Sequence, residues 1–308
     1  MDKTRVKTEV QPEWPALPLA AWKDTYDTLH MWMQIVGKVD LALSPRINHW
    51  WESTFHLNSF GLTTSPIPYE AGIFEIQFDF IHHRLVIHTS QGTEKTLGLR
   101  PRSVANFYEE FMSVLQALGI HVKIWTMPVE ISDPIAFDKD EQHAAYDGEW
   151  ASRFWRILVL LEPVFHEFRG EFIGKSSPVH FFWGSCDLAV TRFSGRRAPE
   201  KPGADAITRE AYSHEVISAG FWPGSGPFPE PAFYCYAAPE PAGFAEGNPG
   251  RSGGYYHPEL KEFVLRYEDV RQAPVPRAAL LEFLQSTYAA GAAAGGWDRQ
   301  NLERSAPK

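Results

Sequence analysis

Only two cysteines occur in the 308 residues, Cys186 and Cys235, both inside apolar runs. A disulfide-stapled scaffold is thereby excluded, and so is a Cys/His zinc site, because no CxxC spacing exists. Two apolar-run thiols in a chain of this length fit a reducing compartment, and a cytoplasmic location is the expectation. Long apolar runs are missing as well. The longest aliphatic one, Ile157–Leu161, falls far short of the roughly 20 residues that cross a bilayer. The opening MDKTRVKTEV lacks the apolar stretch of a signal peptide, so no membrane association is expected. Basic charge is in deficit: 29 Lys and Arg against 38 Asp and Glu leave a formal charge of −9. That is the wrong sign for a face that neutralises phosphates, and nucleic acid is not an expected partner. Neither a strand–GxGxxG–helix nor a P-loop is present.

What the chain does have is aromatic bulk: 11 Trp, 21 Phe and 11 Tyr, within an apolar content of 44%. Such content supports thick cores or aromatic-lined pockets. Trp22, Tyr26, Leu29, Met33 and Val36 recur at helical spacing and predict a helix over Ala20–Val36. His49–Leu57 reads as extended and aromatic, and Gly61–Tyr69, with two prolines, as a loop. Phe74, Ile76, Phe78 and Phe80 alternate with Glu75, Gln77 and Asp79, the pattern of a strand with one buried and one wet face. Leu85–Thr89 and Thr93–Leu99 follow as strands, Pro101–Leu118 as a helix stopped by Gly119, and His121–Met127 as another strand. Trp150–Arg169 is a strong helix carrying one apolar stripe. Strands are expected around Phe181–Phe193 and at Glu215–Phe221, Ala232–Ala237 and Glu262–Tyr267, then a closing helix over Ala278–Ala290.

The order of these elements predicts an α+β fold of two similar modules, each a mainly antiparallel sheet with helices packed on one face. Residues 1–15 read as a flexible arm, 16–131 as the first module, 132–147 as a connector, 148–296 as the second module and 297–308 as a tail that frays after Gly296. The stretches His49-Trp-Trp51 and His180-Phe-Phe-Trp183 look like corresponding strand starts, which suggests duplication; convergence on a common layout reads equally well.

The chain resembles the domain of unknown function 5996 family at Trp14–Leu19, Trp22–Val39, Asn48-His-Trp-Trp51, Gly61–Tyr69 and Pro178–Arg197. Further likeness lies at Glu210–Gly224, Pro231–Phe244 and Leu281–Tyr288. The resemblance runs from about Trp14 to the region of Trp297. It implies one architecture over nearly the whole chain and a bacterial, cytosolic setting. It brings no activity, cofactor or catalytic residue with it.

Candidate chemistry concentrates in Pro178–Arg197, an aromatic strand carrying His180, Asp187 and Arg192, because ionisable groups in apolar strands need a partner or a task. His180 with His214 and Glu215 would form the minimal set for acid–base work or a facial metal triad. The plainer reading has each histidine bonded to backbone. If Phe181–Phe193 is one unbroken strand, His180, Cys186 and Arg192 share a face and Asp187 points away; a bulge at Gly184-Ser185 would swap that parity. Arg192, Arg196 and Arg197 are candidate anion holders; the plainer reading pairs Arg192 with a buried acid such as Asp187 or Glu215 and leaves Arg196 and Arg197 solvated at the turn. Ser185 and Cys186 lack the surroundings of a nucleophile. Tyr69 and Trp222 sit on Pro/Gly loops of the kind that line pocket mouths.

The functional expectation is a protein binding a small polar or anionic organic molecule in an aromatic-lined pocket between the modules. An enzyme using histidine acid–base or metal-assisted hydrolytic chemistry is one form of it. A non-catalytic interaction or scaffold protein, whose buried His, Arg and Glu groups are structural, is the alternative. The sequence specifies no cofactor, metal or protein partner.

Overall fold

A computed structural model describes residues 13–200, 202–226 and 228–304. The first module opens with α1 (Leu19–Leu43), buried around most of its circumference by Trp22, Leu29, Trp32, Met33, Ile35, Val36 and Val39. A helix apolar on so many sides belongs in the middle of a fold, not on its surface. After a 3-10 segment (Asn48–Ser53) come β1 (His56–Leu57), β2 (Gly61–Thr63), β3 (Ile67–Tyr69), β4 (Gly72–Asp79), β5 (Arg84–Thr89) and β6 (Glu94–Gly98). α2 (Val104–Ala117) is capped by the Ser103 side chain and closed by Gly119, whose φ of 75° suits the glycine that ends a helix.

The second module opens with α3 (Gly148–Gly170), capped by Asp147, whose Phe154, Ile157, Leu158, Leu161, Phe165 and Phe168 are buried. β7 (His180–Phe182), β8 (Asp187–Arg197), α4 (Ala206–Ala211), β9 (His214–Trp222), β10 (Ala232–Ala238), β11 (Tyr255–His257) and β12 (Glu262–Arg266) follow. α5 (Tyr267–Arg271), α6 (Pro276–Ala294) and α7 (Arg299–Leu302) close the chain.

The fold is α+β with two antiparallel sheets. One runs β1-β2-β4-β5-β6 with β3 also on β4; the other runs β11-β12-β10-β9-β8-β7. They meet at their edges. Phe55 N donates to Phe181 O at 2.9 Å and Phe181 N to Phe55 O at 2.7 Å, so β7 and the residues leading into β1 are bridged. One hydrophobic core runs through both modules, from Trp22 and Trp32 to Phe283 and Tyr288.

Several expectations are corrected. His49–Leu57 is not one strand: His49 and Trp50 both have left-handed backbone (φ 63° and 61°), and strand structure begins only after the 3-10 segment, with the Phe55 bridge and β1 at His56–Leu57. The proposed echo between His49-Trp-Trp51 and His180-Phe-Phe-Trp183 therefore has no structural counterpart. Gly61–Tyr69 is two short strands on β4 in place of a loop, and 121–127 lacks strand pairing. Asp79, expected on the wet face of β4, is buried because the N–H groups of Ile81 and His82 and the side chains of His82 and Arg84 all donate to it. Trp14, read as part of a flexible arm, is buried and stacks on Tyr267, whose hydroxyl donates to Pro15 O; residues 1–12 lie outside the described residues. The chain does not fray after Gly296. Trp297 is buried, and Ile173 N donates to Leu302 O at 2.8 Å. The stretch 132–147 contains a 3-10 turn at Phe137–Lys139 and is tied to α1, where the Thr28 and Thr25 hydroxyls accept from Ala145 N and Asp147 N.

Candidate functional site

The chain turns at Trp183–Cys186, so Pro178–Arg197 is a hairpin, with a turn in place of a bulge at Gly184-Ser185 and a register shift between Phe193 and Arg197. His180 pairs with Ala189 and Phe182 with Asp187. Directly opposed residues share a face, which puts His180, Asp187 and Phe193 on the outer face of the sheet. Arg192 falls on the opposite face, under α3 and α6. The sequence parity that placed His180 beside Arg192 is thus reversed.

Each candidate can then be placed. His180 is fully buried; its Nδ1 lies 3.0 Å from Thr54 Oγ1. The Thr54 hydroxyl donates to Trp51 O, so it accepts from His180, and the proton sits on Nδ1. Nε2 has no partner among the described residues, and burial, then His56 and Arg169, lower the pKa to about 3. Arg192 is 1% exposed and lies over the rings of Phe168 (3.6 Å) and Tyr288 (4.1 Å), donating to Phe168 O. Arg196 is held by Glu215 and by the carbonyls of Gly295 (2.5 Å) and Gly296 (3.1 Å) that end α6, the place where a cation complements a helix terminus. Glu215 also accepts from Ser194, so it orients no histidine. Tyr69 donates to Gln91 and packs edge-on to Phe74, while Trp222 packs on Phe228. Neither approaches the histidines by any ring contact or hydrogen bond among the described residues.

His180, His214 and Glu215 do not converge, and among the described residues no three His, Cys, Asp or Glu side chains are arranged to hold a metal ion. What does converge is a set only partly anticipated. His49 meets His214 edge-on (5.9 Å between centroids), Trp51 at 5.1 Å and Phe193 at 4.8 Å. Its Nδ1 donates to the carbonyls of Glu210 (3.1 Å) and Ala211 (3.3 Å), which leaves Nε2 as the acceptor of the Lys175 ammonium at 2.7 Å. Lys175 lies over the faces of Phe193 (4.8 Å) and Trp51 (5.5 Å). Arg197 pairs with His214 across the ladder.

Burial, then Lys175 and Arg197, lower the pKa of His214; burial, then Lys175, lower that of His49; burial lowers that of Lys175. Among the described residues neither Lys175, His214 nor Arg197 makes a salt bridge with a carboxylate, whereas Arg196 beside them does. The left-handed backbone at His49-Trp50, unusual for bulky residues, turns the His49 ring toward the second module and is the kind of strain found at ligand sites. This cluster is built from both modules.

Asp187 belongs to a separate group on the same face. It accepts from Ser185 and Tyr234, and burial, then those two donors in opposition, leave its pKa raised. Burial and then Asp187 raise Glu262 to about 7. A cavity of about 770 Å³ opens beside α2, lined by Asn106, Glu109, Ser113, Gln116 and His121. A smaller one, about 200 Å³, lies between Glu215 and Trp297. Neither is an aromatic-lined pocket.

Sequence reasoning reached His214 and Arg197 but not Lys175 or Trp51, and used His49 only as an echo. Lys175 stands 126 positions from His49, beyond any spacing rule. The unusual run Asn48-His-Trp-Trp51 was the one available signal. No helix of the described residues is long and apolar enough to cross a membrane. No curated protein and no solved structure matches the chain. Residues 14–304, including every side chain of the His49–Lys175–His214–Arg197 cluster, match the family of unknown function DUF5996, and the chain belongs to that family.

Proposed function

We propose that the protein binds a small anionic organic molecule at the surface site formed by Lys175, His214 and Arg197, beside Trp51 and Phe193. The observation that carries this reading is three cationic or potentially cationic groups converging without a carboxylate partner among the described residues, in a protein of net charge −9. Unpaired positive charge in one place is what an anion needs, and a bidentate arginine adds geometry. His214 is the group best placed for acid–base work at this site, because its Nδ1 bonds only Ser213 and its Nε2 has no bonded partner among the described residues.

Titration of the protein with inorganic phosphate and with benzoate, followed by tryptophan fluorescence and calorimetry, tests this. Saturable binding is expected, weakened about tenfold or more by Lys175→Met, since a charged hydrogen bond contributes on the order of 1.5–3 kcal/mol. No binding of either anion, or equal binding by the variant, would count against the site. The scaffold reading draws support from Arg192, Arg196 and His180, each of which has a structural task. It predicts that the Lys175→Met protein is unaltered in every binding assay.

A further inference from the structure

The environment of Lys175 goes beyond charge. Its Nζ is 2.7 Å from His49 Nε2, a nitrogen whose lone pair is fixed by the Nδ1 bonds to Glu210 O and Ala211 O. Its Nζ lies over the faces of Phe193 (4.8 Å) and Trp51 (5.5 Å). Burial and a neighbouring cation, here Arg197, favour the free amine over the ammonium, and the oriented His49 imidazole holds that nitrogen in place. The lowered pKa of Lys175 agrees. Lysines used only for charge pair with carboxylates or project freely; this one faces a base.

We infer that Lys175 is a nucleophilic amine that condenses with the carbonyl group of a small oxo acid. This rests on the anion-site reading for the carboxylate, which Arg197 and His214 hold. The Lys175 ammonium passes a proton to His49 Nε2, and the freed amine attacks the carbonyl carbon to form the C–N bond. The carbonyl oxygen takes one proton from the attacking nitrogen, giving a carbinolamine, and a second from His49, and leaves as water. The products are one iminium and one water, so no oxidant or reductant takes part. His49 is a positioning residue and proton acceptor for the amine.

Incubating the full chain with pyruvate and cyanoborohydride, which reduces an iminium to a stable secondary amine, and mapping the product by peptide mass spectrometry tests the step. Acetone, a carbonyl without a carboxylate, is run in parallel. Lys175 is expected to be modified at least tenfold faster than any other lysine by pyruvate. Phosphate should protect it, and acetone should react there at least tenfold more slowly. His49→Asn should slow modification about tenfold while the circular dichroism spectrum is kept, because asparagine tolerates the left-handed backbone that position requires.

Modification of Lys175 no faster than the other lysines, in a protein that still binds phosphate, overturns the amine and leaves the anion site standing. Fast modification by pyruvate and acetone alike, without phosphate protection, retains the amine and overturns the anion site. Unchanged rates in His49→Asn remove the role of His49.

Discussion

Arg192 lies over Phe168 and Tyr288 with its Nη2 on Phe168 O and no partner on Nε among the described residues. Burial, then the pull of Tyr288 and Glu303, sets its pKa at about 10, so it stays charged at neutrality. A planar, weakly hydrated cation can bury itself between rings where an ammonium cannot. Arg192→Lys should lower stability by about 2 kcal/mol in urea unfolding, and Arg192→Met should lower it less, because methionine fills the space without a charge. The sequence showed an arginine in an apolar strand but not its face, since that depends on where the chain turns. Asp40 is the other buried charge of note. It is fully buried, accepts from Ser44, leaves Oδ2 without a partner, and burial raises its pKa to about 7. The folded protein then holds a proton on Asp40 that the unfolded chain releases near pH 4. Stability from this group is therefore present at low pH and lost as pH rises from about 4 through about 7. The loss is roughly 4 kcal/mol at most. Urea midpoints between pH 5 and 8 should fall in the native protein and flatten in Asp40→Asn.

At the scale of elements, α1 and the hairpin turn Trp183–Cys186 lock the modules together. His30 Nε2 donates to the carbonyls of Trp183 (3.0 Å) and Gly184 (2.9 Å), and Trp183 Nε1 donates to Ser53 O. A methyl on Gly37 would fall inside the Trp183 ring. Alanine favours a helix interior over glycine by about 1 kcal/mol, whereas overpacking a pinned ring costs typically 1–3 kcal/mol or more. The clash should win, and Gly37→Ala should lower the thermal midpoint, a sign opposite to the propensity rule. Elements with an unambiguous period were legible: α3 through its apolar stripe and β4 through its alternation. The 3-10 segment at Asn48–Ser53 was not, because aromatic residues favour strands and nothing local announces two consecutive left-handed residues. The cluster of His49, Lys175 and His214 inherited that gap.

For the whole molecule, the common core and the bridge at Phe55 and Phe181 make the modules one cooperative unit. Urea unfolding followed by tryptophan fluorescence and far-ultraviolet circular dichroism should give coincident single transitions. A chain ending at residue 147 should fail to fold, since it would leave much of α1 without α3 and the Trp183–Gly184 turn that pack on it. Two separated transitions, or a folded fragment, would show independent modules. The joining of β7 to the approach to β1 also bears on self-association. Two open sheets present four unpaired edges, each a template for a foreign strand. Here the inner two are bridged at Phe55 and Phe181, the outer two are β11, three residues long, and β6, which shows solvent the charged Glu94 and Lys95, and the short β3 beside β4 packs against α1. A lesion that opens the seam would therefore release two complementary strand edges at once, and intermolecular β-pairing, rather than simple loss of fold, is the outcome to expect from it.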